Sequence, residues 1–517
     1  MPRLSCGRWR RVDGGRWKKV LVTIWDQGKA GGRPAPGPDG RFHYGSEFLK
    51  KHLDRAIAAS AEHQIAPYHL EQQSCIVPGS HGTHVASIAA GASGICPNAD
   101  IAAVLIHLPT EDWERWRAFT DSTRINDAVD YLFQLKDDEG YSAVAINISL
   151  GTNGHAHDGT SGACRWIDAA LDHPGRCVCI AAGNAGQEEG KTTDDLGFVV
   201  GRIHTGGRIA ARGLRKDITL EVAGFPIEDV SQNELEIWYA PQDRLGVWVR
   251  PPGAGKWIRY EDPTNSEDAK TEGVVPPGVS VVAEALDAQD KPLGTEVSIF
   301  NELYISENGA NRISIYLKPT TGPDGTYRVA PGTWTIRLHG IEIRDGTYDG
   351  WIERDDPIPV QGLTPQRKWH YPAFFTTASN VDRTSLSSLA CTRGAIAVAN
   401  LDAEAERVAI TSSQGPTRDG QRKPELCAPG TNVTAACGFH PKQTWIRMSG
   451  TSMASPYVTG VAGLMLNIAP KLTPAQVKGI MLRMTVPLPG SDYAWRDDAG
   501  FGRIDPDACV AEAEACS

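Results

Sequence analysis

The sequence predicts an α/β protein, a parallel sheet flanked by helices, with an antiparallel β-sandwich inserted into it. Three observations carry this. Up to about residue 190, short apolar runs alternate with amphipathic helical patterns, the grammar of a layered α/β fold. From about 192 to 358 it gives way to short segments of alternating β-branched and aromatic residues between Gly, Pro and Asp turns, which read as a sandwich. After about residue 373 the α/β grammar returns. The expected division is a basic tail over 1–15, a first α/β part over 16–191, the insert over 192–358, and a return linker with the second α/β part over 359–517.

The elements follow in order. Arg3, Arg8, Arg10, Arg11, Arg16, Lys18 and Lys19 crowd the amino terminus and read as a solvated tail. "VLVTIWD" (20–26), "IAAVLI" (101–106), "AVAINISL" (143–150) and "CVCIAAG" (177–183) read as buried parallel strands. "EFLKKHLDRAIAASAEH" sets Leu49, Leu53, Ile57 and Ser60 on one face against Lys50, Lys51, Asp54 and Arg55, an amphipathic helix. "TRINDAVDYLFQLKD" reads as another. In the insert, "DITLEVAG", "ELEIWYA", "LGVWVRPPG", "EVSIFNELYIS", "RISIYL" and "GTWTIRLHG" are the strands. Beyond it, "GAIAVANLD" reads as a strand and "SMASPYVTGVAGLMLNIAP" as an apolar helix.

Composition narrows the function classes. At 517 residues the chain exceeds one ordinary core, and 41% hydrophobic with 22% charged residues is ordinary for a globular protein. The net charge of −10 is spread along the chain, so no nucleic acid is expected as a partner. No apolar stretch follows the basic start to make a secretory signal, and no run reaches the roughly 18–20 residues of a membrane span. Eleven cysteines, an odd number without a zinc-type pair, read as buried free thiols; Cys177 and Cys179 point to one face of their strand. The expectation is a cytoplasmic protein, with export of a truncated or processed form left open.

Polar residues stand at the ends of the apolar elements. Asp26 closes its strand before the turn Gln27–Gly28, His81 opens "HGTHVASIAAG", and Ser452 follows Gly450 at the start of a helix. Open α/β sheets build sites in this way. The set suits a Ser–His–Asp hydrolase, in which an imidazole takes the serine proton and a carboxylate fixes the imidazole. A helix starting at Ser452 aims N–H groups at a developing oxyanion, and Asn184 in "AAGNAG" offers a further donor. Singly, each has a plain reading as a turn, a satisfied histidine or an N-cap; together and in order they carry the argument. His81 and His84, three apart, would need further ligands nearby to hold a metal, and none is there.

"HGTHVASIAAG" and "SGTSMASP" resemble the histidine and serine signatures of the subtilisin-like (S8) serine peptidases. "VLVTIWDQG" is similar to the family's aspartate strand, "NISLG" to its substrate-pairing segment and "AAGN" to its oxyanion asparagine; "SSQGPTRDGQRKPELCAPG" and "GFGRIDPDA" also look like its core. The resemblance spans roughly 16–190 and 373–517. It implies a subtilisin-like fold and a serine endopeptidase, with Asp26 as orienting acid, His81 as general base and acid, Ser452 as nucleophile and Asn184 as oxyanion donor. Ser149, Leu150 and Gly151 would be the edge to which a peptide adds as a strand, and His84 is left to a structural contact. Fifty-five residues separate Asp26 from His81, a comfortable interval for the family, whereas 268 separate Asn184 from Ser452. The insert fills that gap and resembles the jelly-roll module of the clostridial spore-germination subtilases.

Two departures stand out. Trp25 and Gln27 flank the aspartate where the family has a small hydroxyl residue after it, and Asp26 lies too near the amino terminus for a family-type prodomain. Calcium is common in the family, but no ligand set is identified, so no cofactor is expected and calcium is left open. The expected partners are protein or peptide substrates, with a regulatory partner possible through the insert and no membrane. The competing reading is a catalytically silent scaffold of the same fold. An α/β-hydrolase esterase is excluded by the order Asp, His, Ser and the lack of a Gly-x-Ser-x-Gly elbow, and the sedolisin-type peptidases lack the "HGTH" helix start.

Overall fold

The computed structural model describes residues 11–13, 16–18, 21–28, 32–37, 41–74, 81–106, 123–187, 201–224, 228–260, 273–354, 358–359, 369–370, 373–438 and 443–517. Most of the expected basic tail and return linker lies outside these residues.

The first part runs β1 (Leu21–Asp26), β2 (Ser46–Leu49), α1 (Lys50–His63), α2 (His81–Ala90), β3 (Ile101–Leu105), α3 (Arg124–Asp138), β4 (Val144–Ile148), α4 (Gly162–Ala170) and β5 (Arg176–Ala181). The insert contributes β6 (His204–Arg208), β7 (Arg215–Val222), β8 (Asn233–Tyr239), β9 (Arg244–Arg250), β10 (Ser280–Leu286), β11 (Pro292–Glu302), β12 (Asn311–Thr321), β13 (Gly332–Glu342), β14 (Thr347–Arg354) and β15 (Ala373–Phe375). The chain then returns through β16 (Ile396–Asp402), β17 (Leu426–Pro429), β18 (Val433–Ala436), β19 (Trp445–Met448), α5 (Thr451–Ile468), α6 (Pro474–Arg483), β20 (Thr485–Val486), β21 (Arg503–Ile504) and α7 (Pro506–Ala515).

The core sheet has the order β20-β21-β17-β16-β5-β4, parallel from β21 to β4. Its central strands are mostly apolar because both faces are covered: Val458, Val461, Ala462 and Met465 of α5 pack on Cys179, Val398 and Leu426, and Val129, Phe133 and Ile167 of α3 and α4 pack with Ile146, Val178 and Ile180. A second sheet, β2-β1-β3, carries Asp26 at the end of β1, with β3 parallel and β2 antiparallel to it. Between β3 and β4 lies a cavity of about 530 Å³, lined by Ala103, Val104, Ile146 and Ile148, with His81 and Ser149 also on its wall.

Two expectations change. The helix expected from Glu47 starts at Lys50, because Ser46–Leu49 pairs with β1. Phe48 is buried there and Leu49 is 36% exposed, the alternation of a strand, so Leu49 leaves the predicted helix face. The sandwich also extends past residue 358, since β15 pairs with β7. Its two sheets, β10-β11-β12-β8-β14-β6 and β9-β13-β7-β15, enclose Ile237, Ile299, Ile313, Val247, Trp334, Ile336 and Phe375. That is a core of its own, filled by alternate residues of each strand.

The α/β core also buries charge. Lys423 is 1% and Glu425 2% exposed. The Lys423 ammonium donates to Glu425 Oε1 at 2.8 Å, Lys478 donates to the same oxygen at 2.5 Å, and the Ala397 N–H reaches Oε2 at 2.7 Å. Nine cysteines among the described residues carry free thiols, and seven of them are buried. Cys177 and Cys179 bring their sulfurs to 4.0 Å, a thiol–thiol hydrogen bond and not a disulfide.

Candidate active site

Asp26 is fully buried. Its Oδ1 accepts from the Gly28 N–H at 2.9 Å and the Ser74 hydroxyl at 2.6 Å, and its Oδ2 from the Ser74 N–H at 2.6 Å. The unusual neighbours have clear tasks. Trp25 sits in an aromatic cluster, its ring 4.8 Å from Phe42 and 5.2 Å from both Tyr44 and Tyr131. Gln27 donates to the Arg124 carbonyl at 2.8 Å, tying the end of β1 to the start of α3. Gly45 closes this corner at φ 78°, where a Cβ would stand 2.2 Å from the Asp26 carbonyl. Gly45→Ala therefore combines a left-handed strain with a backbone clash, and a loss of about 1–3 kcal/mol is expected in a denaturation midpoint.

His81 opens α2. Burial, reinforced by the neighbouring His84, draws its pKa down to about 4, so at neutral pH the imidazole is uncharged and has a lone pair free for a proton. Among the described residues, no hydrogen bond joins His81 to Asp26 or to Ser452. His84 is buried and turned away from the site. Its Nε2 donates to the Val433 and Ile446 carbonyls at 3.0 and 3.2 Å, fixing the β18–β19 hairpin on α2.

Ser452 lies in the first turn of α5, after Gly450 at φ 147°. Asn184, exposed beyond β5, accepts from the Thr451 N–H at 3.0 Å and hydroxyl at 3.1 Å through Oδ1. With the oxygen so committed, the amide nitrogen is left as the outward donor beside Ser452. On the other side, the Ser149 hydroxyl donates to the Ser452 carbonyl at 3.0 Å. Asn147 donates to Ser149 at 2.9 Å and accepts from Ser455 at 2.7 Å. The end of β4 is thus bound to the start of α5. Strand pairing of β4 stops at Ile148, so residues 149–151 run on past the ladder. Leu150 packs into the core, while Gly151 abuts Ser387, whose hydroxyl would be 1.8 Å from an added Cβ.

The structure therefore gathers Asn184, Ser149 and Ser452 at one point and sets His81 and Ser149 on one cavity wall. Sequence reasoning missed Ser74, which sits in an unremarked "QQSC", and Asn147, whose signal was its place beside "ISLG". Among the described residues, no three or more His, Cys, Asp or Glu side chains are grouped to hold a metal ion, and no helix is long and apolar enough to cross a membrane.

Comparison with known proteins identifies the family. A family model described as the subtilase family matches residues 18–198 and 368–502, on either side of the insert. Serine protease AprX of Bacillus subtilis (strain 168) is 31% identical over 184 residues, 32% of this chain and 38% of AprX. The halolysin-like extracellular serine protease Nep of Natrialba magadii is 35% identical over 133 residues, 26% of this chain and 22% of Nep. The chain thus spans well under half the length of these relatives. The structure of the Clostridium perfringens CspB protease superposes with a TM-score of 0.70 at 19% identity, covering 98% of this chain and 90% of that one. The shared fold therefore takes in the inserted sandwich.

Proposed function

The chain belongs to the subtilase family, and from that membership we propose that it is a serine endopeptidase working through Asp26, His81 and Ser452. Ser452 attacks the scissile carbonyl while His81 takes its proton, then passes it to the departing amine; water reverses the sequence on the acyl-enzyme. The Asn184 amide and the N–H groups opening α5 receive the oxyanion. Ser74 and Gly28 hold the Asp26 carboxylate ready for the His81 Nδ1–H, a contact that tightens once a peptide closes the site. The peptide adds as a strand along Ser149, Leu150 and Gly151.

The observation that supports this reading is the pair of bonds at the start of α5, Thr451 N–H to Asn184 and the Ser149 hydroxyl to the Ser452 carbonyl. Labelling of the full chain by a fluorophosphonate, with peptide mapping and Ser452→Ala alongside, tests it. Label on Ser452 is expected. A folded, unlabelled wild type would favour the silent scaffold, a reading supported by the lack of an Asp26–His81 hydrogen bond among the described residues. Asn184→Ala is expected to lower kcat by about 10² to 10³-fold with little change in KM, the loss subtilisin itself shows at its oxyanion asparagine; steady-state kinetics on a peptide substrate checks it. The buried free thiols support a reducing, cytoplasmic setting.

A further inference from the structure

The segment just beyond the peptide edge leaves the core and runs against the inserted sandwich. The Thr152 hydroxyl donates to the Glu353 carboxylate on β14, 201 residues away in sequence. Gly154 lies so close to that carboxylate that a Cβ there would stand 2.1 Å from Glu353 Oε2. The His155 N–H donates to Glu236 Oε2 on β8 at 2.7 Å, and His157 stacks on Trp351 of β14 with ring centroids 4.1 Å apart and planes within 5°. Toward the core, the Thr152 carbonyl accepts from the Ser388 N–H at 2.8 Å.

Residues 149–151 have left the sheet ladder, so their geometry depends on what holds their two ends. One end is the Ser149 hydroxyl on the Ser452 carbonyl. The other is Thr152, whose carbonyl is held by Ser388 of the core and whose side chain is held by Glu353 of the insert. We propose that Glu353 is a positioning residue for peptide binding: by fixing Thr152 and the turn to Gly154, the inserted sandwich holds the edge in the conformation that accepts a substrate strand. This rests on the peptidase reading above. An edge already ordered spares the substrate the cost of ordering it, so the anchor acts on binding of extended peptides and not on the reacting atoms.

The test uses the full chain, peptide substrates long enough to add as a strand, and a small fluorophosphonate that needs no such edge. Glu353→Ala is expected to raise KM about tenfold, the equivalent of about 1.4 kcal/mol, with kcat and the labelling rate of Ser452 unchanged. Glu353→Gln, which keeps an acceptor for Thr152, should restore KM. Gly154→Ala approaches from the other side: its methyl displaces the carboxylate and should reproduce the KM defect. Glu353→Ala with Gly154→Ala should be no worse than the worse single variant, because both break one contact. An unchanged KM in both single variants overturns the proposal, as do defects that add in the double variant. A labelling rate that falls in step with peptide cleavage also overturns it, since the damage would then lie at the reactive centre. Failure of wild-type Ser452 to label at all removes the peptidase reading, and this inference with it.

Discussion

Replacing Ser452 by alanine is expected to cut peptide hydrolysis by about 10⁴ to 10⁶-fold and to abolish fluorophosphonate labelling, the scale of loss subtilisin itself shows for its triad. The size of the effect follows from the arrangement. Asn147, Ser149 and Ser455 make a hydrogen-bonded path from β4 into α5 that ends on the Ser452 carbonyl, so the variant loses one oxygen and nothing of the scaffold. Its thermal midpoint should stay close to wild type. The measurement is turnover of a chromogenic peptide beside an unfolding curve; full activity in a stable alanine variant would refute the assignment of the nucleophile.

The second large effect concerns stability. Glu425→Ala strips the counter-charge from the buried Lys423 and leaves it with the Ala395 carbonyl, and a loss of about 3–5 kcal/mol is expected because an unpaired buried ammonium remains. Chemical denaturation followed through tryptophan fluorescence reads it. The same group sets an acid limit. Burial alone would raise the Glu425 pKa, but Lys423 and Lys478 outweigh it and hold the carboxyl below its ordinary range. A depressed folded-state pKa stabilises above the unfolded value of about 4.3 and ceases to do so as pH falls through the folded value. Glu425→Gln should therefore flatten the acid side of the stability profile. A wild-type profile no steeper than the variant's below about pH 4.3 would show that the pair contributes nothing there.

Much of this was legible in the sequence because the core strands are short, continuous apolar runs and the insert strands alternate, two patterns with different periods. Asp26, Asn184 and Ser452 could be placed because each stands where a strand stops or a helix starts. What escaped had no local signature. Glu47 and Phe48 continue the helical pattern of α1 and are strand only because β1 lies beside them. β15 is three residues long and belongs to the sandwich through its partner β7. Ser74 and Glu353 act across 48 and 201 residues, and a side chain's partner at that distance is set by the fold, not by its neighbours in sequence. Trp25 and Gln27 looked like departures around the aspartate; in space Trp25 joins the aromatic cluster of Phe42, Tyr44 and Tyr131, and Gln27 ties the end of β1 to α3.

The strand pair β5–β16 joins Cys179 to Ile396, so the central sheet has a neighbour on each side of the whole insert. A ribosome delivers the Asp26 half first, then a sandwich with its own core, and only then the strand that completes the sheet and the helix bearing Ser452. Domains generally fold as units in order of synthesis, and long-range pairing is slow. On the proposed peptidase reading, the nascent chain cannot cut until translation has passed residue 452 and the strand and helix made last have joined the central sheet.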